Sequence, residues 1–214
     1  MSTRMMLSLT GEHFCAKHIG QPQCIACMAP AADDLDLEVP LCRRCAATSV
    51  RTQEDVKRVL PPIAAQLRGL SIATTKPVRV RLVAAAELRT AYAGHGNALG
   101  LTVSSGARVV DLMVVRDLPL VKFGSTVCHE VMHAYLTQQR FPRVDPPVAE
   151  GLCQLLAYAW VRRQNDPVAK AEMRLIAEAT DPIYGDGFRR ARDSAQRVGV
   201  PRTLEHVRRH GVLP

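Results

Sequence analysis

Aromatic residues are scarce in this chain, with one tryptophan, four tyrosines and four phenylalanines among 214 residues. None of them interleaves the arginines between Arg189 and Arg209, so that region lacks the stacking platforms by which single-stranded nucleic acid is held. Long hydrophobic runs are missing too. No stretch approaches the ~18 uncharged apolar residues that a membrane span requires. The apolar run in the N-terminal MSTRMMLSLTGEHF is too short for the core of a signal peptide. A cytoplasmic protein with no membrane association is therefore expected, and its seven cysteines read first as metal ligands or buried thiols. Internal repeats and low-complexity segments are also absent, and 47% of the residues are apolar, enough to bury a sizeable core and to exclude wholesale disorder.

What is present points to one main domain with a small appended module. Residues 13–50 are rich in Cys and His and poor in periodic apolar pattern, as a loop-rich module held by metal would be. Residues 51–70 read as a connecting helix interrupted at Pro61-Pro62. Residues 71–214 form the main domain. Within it Val78 to Val83 alternates apolar and basic residues as a half-buried strand, the glycine-rich stretch 94–106 reads as a loop or hairpin, and 107–115 reads as a more buried strand. After Pro119 the pattern is helical. Ser125 or Thr126 is expected to cap a helix running to about Gln139, and a second starts at Pro146-Pro147 and runs to about Gln164. Three more are expected near 167–179, 186–198 and 203–210. The fold class is α+β, a small sheet followed by a helical body.

The formal net charge of +8 is unevenly placed. Residues 1–60 hold seven basic and seven acidic side chains, so the excess lies downstream and is densest from Arg189 to Arg209. A solvated helical surface is the first reading of that stretch. An acidic protein partner is the functional alternative, with nucleic acid behind it.

The chemistry concentrates in Cys128-His129-Glu130-Val131-Met132-His133. Histidines four residues apart lie one helical turn above each other, so both imidazoles reach one ion, while the intervening Glu130 is free to handle the metal's water. Two histidines leave such a site a ligand short. Asp145 and Glu150 lie within reach; Asp145 sits in a poorly fixed Pro-rich connection, whereas Glu150 falls in the first turn of an otherwise apolar helix, where a carboxylate needs a partner. Cys153 and Gln154 would line the same side one turn on. A second cluster, Cys24-x2-Cys27 and Cys42-x2-Cys45, supplies four thiolates for a closed, structural zinc. Upstream, His13, Cys15 and His18 look like half of another zinc site with no second half before them. Cys128 and Cys153, both in helices, read as buried small apolar groups.

The segments GSTVCHEVMHAYL, VAEGLCQLLAYAW and IYGDGFRRARDSAQRVGVPRTLEHVRRHGVLP resemble, in the same order, the plant LIM-domain peptidases that limit organ size, the DA-one-like family. The upstream CAKH, CIAC and LCRRC resemble the end of that family's LIM-like region. The resemblance implies a gluzincin-like zinc peptidase that cuts regulatory proteins and that, in plants, is stimulated by ubiquitin. Family members have two adjacent glutamates where this chain has Ala149-Glu150, which supports Glu150 as third ligand. Acidic ubiquitin-interacting helices and a complete LIM domain are not found, so ubiquitin-linked control does not carry over, and the chain reads as a minimal member of bacterial type.

The expected reaction is peptide-bond hydrolysis with one catalytic Zn2+ at His129, His133 and Glu150, at least one structural Zn2+ at Cys24, Cys27, Cys42 and Cys45, and Glu130 as general base. Tyr184 and His206, each inside a family-like motif, are the candidates for stabilising the oxyanion. Two rivals stand beside this reading: a SprT-like nucleic-acid-associated protease, which takes a third histidine as ligand, and a non-enzymatic zinc-binding adaptor. Asp145, His206 or His210 as third ligand would overturn the assignment.

Overall fold

The computed structural model describes residues 5–70, 72–92 and 98–214; residues 94–97 of the glycine-rich stretch lie outside them. The N-terminal module is built from short pieces: β1 (Met6–Leu7) pairs antiparallel with β2 (His13–Phe14), followed by a 3-10 turn over Ala16–His18 and the single-turn helix α1 (Arg43–Ala46). Then come β3 (Ser49–Val50), α2 (Gln53–Gly69), β4 (Val80–Val83), α3 (Ala85–Ala91), β5 (Gly100–Ser105), β6 (Arg108–Val115) and β7 (Leu118–Pro119). Five helices complete the chain: α4 (Leu120–Gln138), α5 (Pro146–Val161), α6 (Pro167–Ala177), α7 (Gly185–Val198) and α8 (Val200–His210). The architecture is α+β, with small sheets and a helical body. Among the described residues no helix is long and apolar enough to cross a membrane.

The main sheet has three strands in the order β4-β6-β5. β6 lies in the middle, parallel to β4 and antiparallel to β5, with Leu112 opposite both Val80 and Thr102. Its second half, Leu112 to Val115, is fully buried, which accounts for a continuous apolar run where a half-exposed strand would alternate. β5 turns into β6 through Gly106 at φ 57°, so the described end of the glycine-rich stretch is a hairpin. β5 is left as an edge.

Two expected boundaries moved. α2 runs unbroken through Pro61 and Pro62. Both prolines face solvent, so the carbonyls that lose an intrahelical donor are hydrated, while Val56, Ile63 and Leu67 bury one face on the core and hold the helix together. Thr52 and Asp55 close its N-terminus as a reciprocal capping box. α4 begins at Leu120, ahead of the expected hydroxyl cap. Its first amide donates to the carbonyl of Thr48 (3.0 Å), at the edge of β3, which is itself paired with β7. The hydroxyls do other work: Ser125 Oγ donates to Glu172 (2.8 Å) and Thr126 Oγ1 to the carbonyl of Lys122 (2.9 Å).

The module is tied to the body at the same place. Asp117, at φ 70° in the β6–β7 turn, accepts the Glu38 amide at Oδ2 (3.0 Å), and its carbonyl accepts Ser49 Oγ (2.9 Å). Glu38 in turn accepts the Ala85 amide (2.9 Å) and pairs with Arg116. That amide, opposed by partial burial and helped by Arg116, holds the Glu38 carboxyl below its usual range.

The helical body depends on close crossings. On α4, Gly124 lies under the indole of Trp160 from α5; a Cβ there would stand 2.1 Å from Cη2. On the other side of α5, Gly151 meets α7 backbone to backbone, and a Cβ on it would stand 2.3 Å from the carbonyl oxygen of Gly187. Gly151→Ala is therefore expected to destabilise the fold by about 1–3 kcal/mol, since neither backbone can yield without moving a helix. Gly69→Ala, with no neighbour within 4 Å, is the control and should be neutral or slightly stabilising. Urea unfolding of the two variants checks this; equal midpoints would contradict the crossing.

Candidate active site

His129 and His133 stand one turn apart on α4, their Nε2 atoms 3.2 Å from each other. The first turns of α5 lie against this part of α4 and bring in Glu150, whose Oε2 is 3.1 Å from Nε2 of His129 and 3.5 Å from Nε2 of His133. Bonds of ~2.0–2.2 Å from zinc to nitrogen and oxygen place neighbouring tetrahedral ligands about 3.3–3.6 Å apart. The three atoms come close to that spacing. Oε2 of Glu150 is buried and makes no hydrogen bond, which is how a carboxylate oxygen stands when its partner is a cation. Burial pushes the Glu150 carboxyl up, but the two imidazoles outweigh it and hold it at about 2. Burial likewise opposes charge on His133, and Cys153 and Glu150 together outweigh that and hold it well above its ordinary value.

Cys153, one turn after Glu150, joins this group: one ligand atom from each of His129, His133, Glu150 and Cys153 lies within 4.8 Å of every other. It is a buried thiol as expected, pushed up to about 11 by burial, but it is also within reach of an ion, which its reading as a small apolar group did not include. Cys128, by contrast, is only a buried thiol whose pKa burial raises.

Glu130 lies against β5. It is 6% exposed, and Thr102 Oγ1 lies 2.8 Å from its Oε2 and 2.9 Å from its own carbonyl oxygen. β5 approaches this closely because residue 100 is glycine: a Cβ there would stand 2.8 Å from Glu130 Cγ and 2.9 Å from Oε1. A cleft of about 300 Å3 opens over His129 and Glu130, lined by Tyr92, Leu99, Gly100, Lys122, Gln154, Glu172 and Tyr184. Glu172 is buried and fully paired, with Lys122 Nζ and Ser125 Oγ each 2.8 Å from one of its oxygens.

Tyr184 enters the cleft from the N-cap position of α7, its ring centroid 6.3 Å from that of His129. Asp181 Oδ1 accepts the amides of Ile183 (3.1 Å) and Tyr184 (2.6 Å) and sets the turn that aims the ring. Burial, with Glu150 and Tyr92 adding to it, raises the phenol's pKa. His206 is not brought to the cleft; it lies on α8 beside His210, ring centroids 4.5 Å apart. Asp145 is the exposed N-cap residue of α5 and stands outside the ligand group, as does His210.

The second cluster unites Cys24, Cys27, Cys42 and Cys45. Cys27 Sγ is 3.7 Å from both Cys42 Sγ and Cys45 Sγ, against about 3.8 Å for the edge of a tetrahedron with ~2.3 Å zinc–sulfur bonds. The first knuckle is a turn in which Met28 takes φ 61° and the Cys24 amide donates to Ala29 (2.7 Å); the second is the N-terminus of α1, where Cys42 is the N-cap. Hydrogen bonds from Cys27 and Cys45 favour the thiolate of Cys24, which in turn pushes the thiols of Cys27 and Cys45 up. These four sulfurs could hold a metal ion. Cys15, His18 and His13 take no part in either group.

Thr102, Gly100, Lys122, Glu172 and Tyr92 are the cleft residues that sequence reasoning passed over. Two left a trace. Gly100 is a glycine at a strand position, which marks a close approach. Glu172 is a charge on the buried stripe of α6 that holds Val168, Ala169 and Ile176.

The sequence model of the DA1-like family, described as Protein DA1, matches residues 46–175. The span covers His129, Glu130, His133 and Glu150, but not Tyr184, His206 or any of the four clustered cysteines, of which Cys45 lies just before it. Among curated proteins, "Protein DA1-related 2" of Arabidopsis thaliana is 30% identical over 50% of this chain and 26% of its own length. "Protein DA1-related 1" of the same plant is 23% identical over 95% of this chain and 50% of its own length. The "LIM domain-containing protein HDR3" of Oryza sativa subsp. japonica is 25% identical over 50% of this chain and 28% of its own. The chain thus spans a quarter to a half of the length of these relatives. No solved structure matches it. With more than half of its residues matched by the family's model, the chain belongs to the DA1-like family.

Proposed function

We propose that this protein is a zinc-dependent metallopeptidase of the gluzincin type, acting on protein substrates in the cytoplasm. The observation that carries the reading is the convergence of His129, His133 and Glu150 at 3.1–3.5 Å, with Glu130 held beside them on an open cleft. The presence of the Glu150 carboxylate beside the two histidines favours it over a SprT-like site, which takes a third histidine. All seven cysteines are free thiols, consistent with a reducing compartment. A second zinc ion at Cys24, Cys27, Cys42 and Cys45 has a structural role. On α7 and α8, Arg189 is paired with Asp186, Arg192 with Asp193, and Arg208 and Arg209 with Glu205, and Arg197 bonds the carbonyl of Pro214; among the described residues this leaves the exposed Arg190 and Arg202 of that surface for an acidic protein partner.

When bound at His129, His133 and Glu150, a zinc ion supplies Lewis-acid polarisation of the scissile carbonyl and lowers the pKa of water toward ~7. The chain's own groups do the rest. Glu130, steadied by Thr102, takes the proton of the attacking water on its carboxylate and passes it to the leaving amine. The Tyr184 phenol, on the cleft side of His129, donates a hydrogen bond to the oxygen on which charge develops. Among the described residues the outer edge of β5 beside Gly100 pairs with no strand, and it offers its amides and carbonyls to an extended peptide, which would lie across the cleft as an added strand.

The position of Cys153 supports one other reading: if it ligates together with the other three, the site is closed and structural, as in a zinc-binding adaptor. The readings separate on three variants, assayed for zinc content and for hydrolysis of a denatured protein mixture. Glu130→Gln should keep its zinc and lose about 10²–10⁴-fold in activity; loss of zinc would remove Glu130 from the role of base. Glu150→Ala should weaken metal binding by more than the ~100-fold typical of a supporting residue, with Glu150→Asp nearly as damaging because the shortened side chain cannot reach. Retained zinc in Glu150→Ala would exclude it as ligand. Cys153→Ala should keep both zinc and activity, and loss of its zinc would favour the closed site.

A further inference from the structure

The cleft holds a buried ion pair for which the hydrolysis itself has no use. Lys122 and Ser125 of α4 and Glu172 of α6 line it together with His129 and Glu130. Glu172 is 3% exposed and the Lys122 side chain 17%. Nζ of Lys122 and Oγ of Ser125 each donate to one oxygen of that carboxylate at 2.8 Å. Lys122 starts two turns ahead of His129 along α4, but the shared carboxylate draws its ammonium back toward Ser125, one turn ahead. A turn of helix is about 5.4 Å long, so the ammonium is within reach of a substrate side chain next to the bond that is cut. Folding alone does not call for such a pair. Apolar side chains of the same size would join α4 to α6 at least as well, because the cost of desolvating two charges offsets most of their attraction.

The pair also has hydrogen-bonding capacity to offer. An ammonium carries three N–H donors, and each carboxylate oxygen accepts two bonds. Among the described residues Lys122 Nζ makes one bond, and each oxygen of Glu172 takes one. Gln154 of α5 lines the same cleft, and among the described residues its amide makes no hydrogen bond. This part of the cleft therefore presents donors and acceptors together, with no net charge.

We propose that Lys122, Glu172 and Gln154 form a subsite that selects a carboxamide side chain, asparagine or glutamine, beside the peptide bond that is cut; the inference rests on the peptidase reading of the same cleft. The amide oxygen accepts from Lys122 Nζ, and the amide nitrogen donates to Glu172 or to Oε1 of Gln154. A substrate carboxylate would meet an ammonium already neutralised and share the cleft with Glu130. A substrate ammonium would meet a carboxylate already answered by Lys122. An apolar side chain would strip water from all three groups and return no hydrogen bond. A peptide added to the edge of β5 is held through its main chain, which is the same in every sequence, so selection falls to a side-chain pocket of this kind.

The test maps the bonds that the full, zinc-loaded chain cuts in a denatured protein mixture, by mass spectrometry of the products. Asparagine and glutamine should be enriched at one position beside the cut. Two peptides differing only there, glutamine against leucine, should then differ in kcat/KM by about 10–100-fold in favour of glutamine. Lys122→Met combined with Glu172→Met removes both charges together, so that neither is left buried alone, and should bring the ratio to about 1 or invert it. Gln154→Met, which breaks no hydrogen bond within the chain, should lower the ratio by about tenfold. Enrichment of acidic, basic or apolar residues in place of the amides overturns the proposal. So does a ratio that the variants leave unchanged while activity on both peptides falls alike, since the ion pair would then serve the fold only. A wild-type chain that cuts nothing overturns the peptidase reading and this inference with it, whereas cutting without an amide preference overturns this inference alone.

Discussion

The carboxylate of Glu150 is buried beside two imidazoles with one oxygen free of any hydrogen bond, and that arrangement is costly unless a positive charge answers it. Much of the helical body can be understood from this constraint. Glu150 reaches the histidines only because α5 crosses α4 with its first turns over the middle of that helix. The crossing is as close as it is because Gly124 admits the ring of Trp160 and Gly151 admits the backbone of α7. Gly151, the residue next to Glu150, is thus the one that sets the helix's depth. A side chain at Gly151 would shift Glu150 along with the helix, and a few tenths of an ångström matter for a metal bond.

Glu130 depends on a different neighbour. It faces the edge strand β5, and what fixes it there is one hydroxyl, from Thr102, and one missing side chain, at Gly100. Glu130 and Glu150 are consequently held by separate parts of the fold, the sheet and the helical body, which meet at α4. The N-terminal module contributes a third hold. It caps α4 through the Thr48 carbonyl, pairs β3 with β7 just ahead of it, and fastens Glu38 to Asp117 and to the start of α3. In the proposed enzyme, metal bound by the four cysteines would stabilise the module and, through it, the first turn of the helix that carries the chemistry.

The similarity to plant proteins covers the part of the chain that carries the α4–α5 site, and it places the chain in a family without transferring what the longer relatives do. The N-terminal module brings four sulfurs together in one cluster, and Cys15 and His18 stand outside it.

Local order is what the amino-acid sequence determined alone. Histidines four apart on a helix, and cysteine pairs with two residues between them, bring their donor atoms together by backbone geometry, whatever the rest of the chain does, so the His129–His133 pair and the knuckles were legible as motifs. The sheet-then-helices order and most helix ends followed from periodicity and from prolines. The start of α4 did not, because its cap is a carbonyl from a strand seventy residues upstream in a different element, and Ser125 and Thr126 looked like caps until Glu172 and Lys122 claimed them. Nor did the continuity of α2, since burial of Val56, Ile63 and Leu67 outweighs two prolines whose lost hydrogen bonds water replaces. The sequence pointed to Glu150 over Asp145 and put Cys153 on the same side one turn on, but that Thr102 steadies Glu130, and that Tyr184 lies at the cleft while His206 does not, were decided by tertiary structure alone. Each of these depends on how two elements cross, and a crossing is set by the whole packed surface, which no short stretch of sequence contains.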